Sequence, residues 1–242
     1  LAGEAAAASG LLAAPGRAGP AVLPPPLPAD LLLEWRGPGL EGLLQGLLSR
    51  QLIREPLAAR YGIGDAQMTM VRRLPFVLRL RPLAQGPFQT GLELELTVSG
   101  DRRPWNQMLA GLVEPLEAQG LEATQAGSKA LAATLWRQQD GRVVGGWRWV
   151  LAGSSRPQLL LFLGPEPPAA TPAAATPVLS QPSLGAAMQL RLRPAALAAR
   201  GLLPSGLPNP VQLASQLSLT AVPAAPGSAL SQLTGRLQLQ SR

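Results

Sequence analysis

Two neighbouring segments of this chain alternate leucine with charge, and the two charges are opposite in sign. Residues 78–81 read LRLR and residues 92–96 read LELEL. Successive side chains of a strand point to opposite faces, so each segment places leucine on one face and charge on the other. We predict an antiparallel hairpin in which Arg81 faces Glu93 and Arg79 faces Glu95 on the solvent face. Exposed ion pairs contribute only about 0–1 kcal/mol, so the leucine face carries the stability and the charges oppose a one-residue slip.

The same alternation and the turn residues predict further strands. Asp140-Gly141 is a strong hairpin signal between two apolar segments. A strand that alternates with period two and is joined by short turns pairs antiparallel with its neighbour. The predicted strands are 29–35, 129–139, 142–151, 158–163, 190–193, 213–222 and 233–240.

Two segments have the spacing of amphipathic helices. Leucines at i, i+3, i+4, i+7 and i+8 from Leu40 predict a helix over 40–52. Residues 101–119 predict a second helix, although Pro115 inside it is expected to kink or end it. The fold class predicted is α+β: a mainly antiparallel sheet with two or three helices packed on one face.

Composition divides the chain into four parts. Residues 1–28 are rich in Ala, Gly and Pro and predict an extended tether. Residues 29–164 form the α+β core, and residues 165–185 a Pro/Ala/Thr-rich loop or linker without regular structure. Residues 186–242 form a β-rich segment that either completes the sheet or makes a small second unit. Residues 190–194 repeat the LRLRP of residues 78–82, through either duplication or independent use of one strand pattern.

The chain has no histidine and no cysteine, and Lys129 is its single lysine. Most nucleophiles, general bases and soft-metal ligands are therefore absent. Ser128 lies next to Lys129, but adjacent strand residues point to opposite faces and do not converge. Acidic residues that glycoside hydrolysis would need in pairs have ordinary turn, cap or strand explanations: these are Asp30, Glu34, Asp65 and Asp101. We expect no enzyme activity, no cofactor and no metal site.

The net charge of +7 comes almost entirely from arginine. No RNA-binding aromatic motif, zinc finger or helix-turn-helix pattern accompanies it, which argues against nucleic acid as a partner. Arg72, Arg73, Arg102 and Arg103 come from neighbouring predicted elements, so they form a candidate contact for an anionic membrane surface or an acidic protein. The competing interpretation is dispersed solubilising charge.

Three tryptophans are expected on one face of the sheet. With a two-residue turn at Asp140-Gly141, Trp136 pairs with Gly145 and Thr134 pairs with Trp147. Trp136, Trp147 and Trp149 then share a face, which lines an apolar ligand cleft or is covered by the helix that carries Trp105. We favour the covered core.

Three segments resemble a family of uncharacterised cyanobacterial proteins: 29–52, 105–120 and 190–197. Proteins of that family carry an N-terminal membrane anchor followed by an extracytoplasmic α+β region, in the periplasm or thylakoid lumen. The resemblance implies a non-catalytic, membrane-tethered interaction or scaffold domain outside the cytoplasm. The alternative is a carrier that binds a lipid or other apolar ligand on the concave face of the sheet. The chain begins at Leu1 rather than Met, so we expect any anchor upstream; the sequence does not indicate an oligomeric state.

Overall fold

Ten strands of the protein form one antiparallel sheet. The structure is a computed structural model that describes residues 26–41, 59, 61, 63–84, 89–98, 100–127, 132–150, 157–168, 188–204, 206–223 and 231–239. The strands are β1 Leu33–Gly37, β2 Phe76–Pro82, β3 Thr90–Thr97, β4 Glu122–Ala126, β5 Ala133–Arg137, β6 Val143–Val150, β7 Gln158–Leu163, β8 Met188–Leu192, β9 Ala214–Pro223 and β10 Ser231–Leu239. Their order across the sheet is β10-β9-β8-β1-β2-β3-β7-β6-β5-β4.

The sheet has two chemically different faces. Cross-strand partners such as Phe76, Leu96 and Leu159 share one face, which we call the helix-covered face. Arg79, Glu93 and Glu34 lie in register on the other, which we call the charged face. The period-two alternation of leucine and charge produces this division.

Five short helices lie among the described residues. They are α1 Asp65–Arg72, α2 Arg103–Ala110, α3 Val113–Glu117, α4 Pro194–Ala198 and α5 Asn209–Gln212. Trp105 and Leu109 of α2 join the core cluster around Phe76 and Leu159 on the helix-covered face. Leu197 of α4 packs with Leu192 and Leu217 farther along that face. The predicted α+β class, an antiparallel sheet with helices on one face, is therefore confirmed.

The predicted helix over 101–119 is wrong as a single helix. Gly111 and Leu112 form a turn that separates α2 from α3. Pro115 has no N–H to donate to Gly111, so a continuous helix would lose a hydrogen bond there and meet a ring clash. Restarting the helix at Val113 places Pro115 in a first turn, where no donor is needed. Of the helix predicted over 40–52, only Leu40 and Glu41 lie within the described residues.

The predicted hairpin of β2 and β3 is confirmed, with two corrections. Arg79 does contact Glu95, and Arg81 contacts Glu93. However, the Cα partner of Arg79 is Glu93, so both ion pairs run diagonally, within reach of long side chains. The solvent-face prediction is wrong, because Glu93 is only 5% exposed. β1 and β7 flank the hairpin on both sides, so its charged face lies in the middle of the sheet.

The C-terminal strands belong to the same sheet, because β8 pairs with β1. The two LRLRP segments lie on the two sides of β1 in equivalent register. Glu34 has Arg79 as its partner on one side and Arg191 on the other. The repeated sequence therefore occupies equivalent positions around one central strand.

The tether and the linker both pack at their described ends. Leu27 is 3% exposed, and Arg193 donates to its carbonyl oxygen at 2.9 Å. Residues 165–168 have no helix or strand, as predicted, but Pro167 is buried. Both segments therefore lack helix and strand where they are described but still pack against the domain, because buried apolar surface offsets the entropy of ordering them. Residues 1–25 and 169–185 lie outside the described residues.

Candidate functional site

The most unusual feature of the sheet is a buried charge cluster centred on Glu34. Glu34 is 4% exposed, and Arg191, its neighbour on β8, is 5% exposed. Arg191 donates to Glu34 Oε1, Arg36 Nη2 lies 2.5 Å from the same oxygen, and Arg79 Nε lies 3.4 Å from Oε2. A buried carboxylate is tolerated because these guanidinium groups compensate its charge.

The cluster favours the charged forms of Glu34 and Arg79. Burial on its own would raise the pKa of Glu34, but the hydrogen bond from Arg191 and the charges of Arg36, Arg191 and Arg79 outweigh it. The pKa of Glu34 is therefore held below its ordinary value of 4.5. Burial likewise works to lower the pKa of Arg79, but Glu95, at 2.9 Å, and Glu34 raise it. A carboxylate held in this way is a poor general base.

The second arginine of each LRLRP segment holds the chain that leads into β1. Arg81 pairs with Asp30 as well as with Glu93. Arg193 donates to the carbonyl oxygens of Leu27 and Pro28, the latter at 3.2 Å. These contacts are structural, and they account for Asp30 and Glu34 among the carboxylates considered as catalytic candidates.

The four arginines predicted to meet an anionic surface lie at the same end of the sheet. Arg72 and Arg73 precede β2, and Arg102 and Arg103 follow β3. The two connections meet where the Thr97 N–H donates to the Pro75 carbonyl oxygen at 3.0 Å. We call this end, marked by the Phe76–Leu96 pair, the arginine end.

These four arginines are not equivalent. Arg72 and Arg73 are exposed, and within the described part of the chain neither forms an ion pair. Arg103 pairs with Asp101 at 3.0 Å, and hydrogen bonds from the Arg103 side chain and backbone lower the pKa of Asp101. Arg102 places its guanidinium 4.8 Å from the centre of the Trp149 ring, a cation–π geometry.

The tryptophan prediction is confirmed in its register. Trp136 pairs with Gly145 and Thr134 with Trp147, so Trp136, Trp147 and Trp149 share the helix-covered face. Trp147 and Trp149 pack against the cluster that contains Trp105. Trp149 Nε1 also donates to Asn106 Oδ1 of α2 at 3.2 Å. The helix thus covers two of the three tryptophans.

Trp136 differs from the other two. It is 3% exposed, and its ring centre lies 5.6 Å from that of Trp147. Its indole Nε1 is buried with no hydrogen-bond partner among the described residues. A buried unpaired donor costs about 1–3 kcal/mol, which a ligand acceptor would relieve. Trp35 Nε1, on the same face, is a second buried donor without a partner among the described residues.

A third charged contact was not anticipated from the sequence. Arg148, 9% exposed, pairs with Glu166 at 2.9 Å and donates to the Pro168 carbonyl oxygen at 3.4 Å. It anchors the start of the proline-rich segment over the charged face. The sequence of β6 could have indicated this position of Arg148. Arg148 stands between Trp147 and Trp149, so its side chain lies on the face opposite to theirs.

Among the described residues, no group of three or more Asp or Glu could hold a metal ion. None of the helices in the described ranges has the length and hydropathy to cross a bilayer. Ser128 and Lys129 lie outside the described residues.

Comparison with protein-family models, curated proteins and solved structures finds no match to this chain.

Proposed function

We propose that this chain is a non-catalytic interaction or scaffold domain, tethered to a membrane and working at its surface outside the cytoplasm. Support for a non-catalytic role comes from how the chain uses its acidic residues. The two buried carboxylates among the described residues, Glu34 and Glu93, both pair with arginines in the sheet. Carboxylates that are buried and paired with arginines in this way are not accessible to a substrate, as catalytic acids and bases must be.

The observation that carries the proposal is the arginine end. The end of α1 and the start of α2, with the residues beside them, present Arg72, Arg73, Arg102 and Arg103 at one end of the sheet, and only Arg103 has an acidic partner among the described residues. Each basic side chain near an anionic bilayer contributes about 1 kcal/mol of attraction. Such a surface fits the headgroups of acidic lipids. The described part of the tether leads into β1 at the opposite end of the sheet, because Leu33 pairs with Leu80 and Gly37 with Phe76.

Co-sedimentation with lipid vesicles tests this proposal. We expect the protein to bind vesicles of phosphatidylcholine with phosphatidylglycerol and not vesicles of phosphatidylcholine alone. Arg72→Gln with Arg73→Gln should weaken binding about tenfold or more, since two contributions of about 1 kcal/mol are lost. Arg137→Gln with Arg142→Gln is the matched control, because both adjoin the hairpin at the opposite end of the sheet.

The control pair removes the same charge, so it should leave most of the binding intact. Equal loss in both variants would mean dispersed charge rather than a defined end. Absence of binding to acidic vesicles at low salt would remove the membrane-surface role.

A second candidate function is a carrier for a lipid or other apolar ligand on the Trp136, Trp147 and Trp149 face. The buried indole N–H of Trp136 favours it, because a ligand carbonyl oxygen would satisfy that donor. Titration with a fluorescent fatty-acid analogue tests it. Trp136→Phe keeps an aromatic ring of smaller size and removes the N–H donor, so it should lower affinity about fivefold or more. An affinity unchanged in Trp136→Phe, or no binding at all, would leave the covered core as the only role of these residues.

A further inference from the structure

The last strand of the sheet is an edge strand among the described residues. β10 spans Ser231–Leu239 and, within the described ranges, pairs with β9 alone, and all its described side chains, residues 233–239, are exposed. Leu233, Leu237 and Leu239 are 67%, 39% and 58% exposed. The opposite edge, β4, is only five residues long and polar. Long apolar edges are ordinarily protected, because their free backbone groups are a template for another strand.

We propose that β10 pairs antiparallel with β10 of a second copy of this chain, about a two-fold axis through Gly235. The inference goes beyond the proposed membrane contact, which lies at the arginine end and involves other residues. It joins the two sheets edge to edge and buries the exposed leucines of both copies.

The backbone restricts the possible registers of such a pair. In an antiparallel ladder, two opposed residues both direct their backbone groups at each other or both direct them away. Because successive residues alternate, the two-fold axis must pass through a residue rather than between two. When the two-fold axis passes through Gly235, the midpoint of Ser231–Leu239, every residue of the strand has a partner in the second copy.

Side chains favour the same centre. With Gly235 on the axis, Leu233 of each copy lies opposite Leu237 of the other, and both face the helix-covered side. Arg236 then lies opposite Thr234. A centre at Arg236 would place two guanidinium groups directly opposite each other, which is destabilising. A centre at Thr234 would place Leu233 opposite Gly235 and leave no leucine pair.

Gly235 also fits the axis. A Cβ at this position would lie 2.7 Å from Leu219 Cδ2, so the β9 side chain already occupies the space above the glycine. Leu219 therefore lies between Leu233 and Leu237 on the same face. The apolar strip is continuous across the proposed axis.

Cysteine cross-linking of the full chain tests the register, because the chain has no cysteine of its own. Leu233→Cys and Leu237→Cys are prepared separately, oxidised alone and oxidised as a mixture. Directly opposed strand residues have Cα atoms about 4.5–5.5 Å apart, within disulfide range. Two copies of position 233 would be separated by about 13 Å, given about 3.3 Å per residue. We expect a disulfide dimer from the mixture and little from either variant alone.

Sedimentation equilibrium supplies the measurement on the unmodified chain. The mass should rise from 25.2 kDa towards twice that value with concentration. Leu233→Glu with Leu237→Glu should raise the dissociation constant at least about tenfold, since acidic residues then face each other. Leu163→Glu, at a leucine 58% exposed on an interior strand, is the matched control and should leave dimerisation unchanged.

Several outcomes would overturn the proposal. The first is a monomer at every concentration, and slow amide exchange in β10 of that monomer would indicate that another segment of the same chain covers the strand. The second is cross-linking of each cysteine variant alone as efficiently as in the mixture. Vesicle binding by a strictly monomeric protein would overturn this inference and leave the proposed function standing.

Discussion

Replacing Glu34 by glutamine should destabilise the protein by about 3 kcal/mol. The substitution keeps the size and one acceptor oxygen of the side chain but removes the charge that faces Arg191, Arg79 and Arg36. Breaking a buried ion pair from one side costs about 3–5 kcal/mol, because the remaining charge is left in the interior.

The exposures decide where in that range the cost falls. The Arg191 side chain is 6% exposed, whereas those of Arg79 and Arg36 are 22% and 27% exposed. Arg79 also keeps its contact with Glu95. The partial exposure of Arg79 and Arg36 and the retained contact of Arg79 with Glu95 place the expected cost at the lower end of that range.

Urea unfolding followed by tryptophan fluorescence measures this free energy. Glu122→Gln, an exposed glutamate on β4, is the control and should change stability by no more than about 0.5 kcal/mol. Combining Glu34→Leu with Arg191→Leu should recover at least half of the loss, since apolar replacement of a whole buried pair is often neutral. A loss below about 1 kcal/mol for Glu34→Gln, or no recovery in the double variant, would refute the assignment of Glu34 as the centre of the cluster.

The pH dependence follows from the lowered pKa of Glu34. A carboxyl group whose folded pKa lies below its unfolded value stabilises the protein above the unfolded value, and this contribution is lost as pH falls through the folded pKa. The difference between wild type and Glu34→Gln should therefore be largest above pH 4.5 and shrink below it. A difference that stays constant into acid would mean that Glu34 titrates alike in both states.

Two further substitutions examine the packing of the sheet. Leu159 is 0% exposed in the main core cluster, so Leu159→Ala should lower the free energy of unfolding in urea by about 2–5 kcal/mol. Leu163 is 58% exposed on the same strand, so Leu163→Ala should lower it by under about 1 kcal/mol. Similar losses in the two variants would contradict the assigned core. Gly145→Ala would place a Cβ 2.7 Å from the Phe162 carbonyl oxygen and should lower the free energy of unfolding by about 1–3 kcal/mol. Gly206→Ala, with nothing within 4 Å of its Cβ, should leave stability nearly unchanged. A Gly145→Ala variant as stable as the wild type would show that β6 and β7 can separate.

Local alternation explains why much of the sheet could be predicted. The hairpin of β2 and β3 and the pairing of Trp136 with Gly145 both depend on period two and a short turn, which neighbouring residues specify. β4 was missed because its residues, EATQA, alternate weakly and contain a single β-branched side chain. α1 was missed because it is only eight residues long and begins directly after Gly62 and Gly64, residues that favour turns.

Burial of the charged face could not be predicted from the same pattern. Alternation shows that Glu34 and Glu93 lie opposite the leucines, but it does not show which strands flank them. That depends on β1 pairing with both β2 and β8, residues far apart in the chain. In an isolated two-stranded hairpin these side chains would be exposed. Because of the non-local pairing, they lie in the centre of a ten-stranded sheet.

The ion pairs of the charged face carry no net charge as a group. Arginines at 36, 79, 81 and 191 are matched by carboxylates at 30, 34, 93 and 95, so the net charge of +7 of the chain comes from residues outside these pairs. Salt screens exposed charge, with a Debye length of about 10 Å at 0.1 M and about 3 Å at 1 M, but screens buried pairs much less. Salt should therefore release the arginine end from an acidic surface at concentrations that leave the sheet folded. Because the charges that stabilise the fold differ from those available for binding, Arg72 and Arg73 can be changed without disturbing the ion pairs around Glu34.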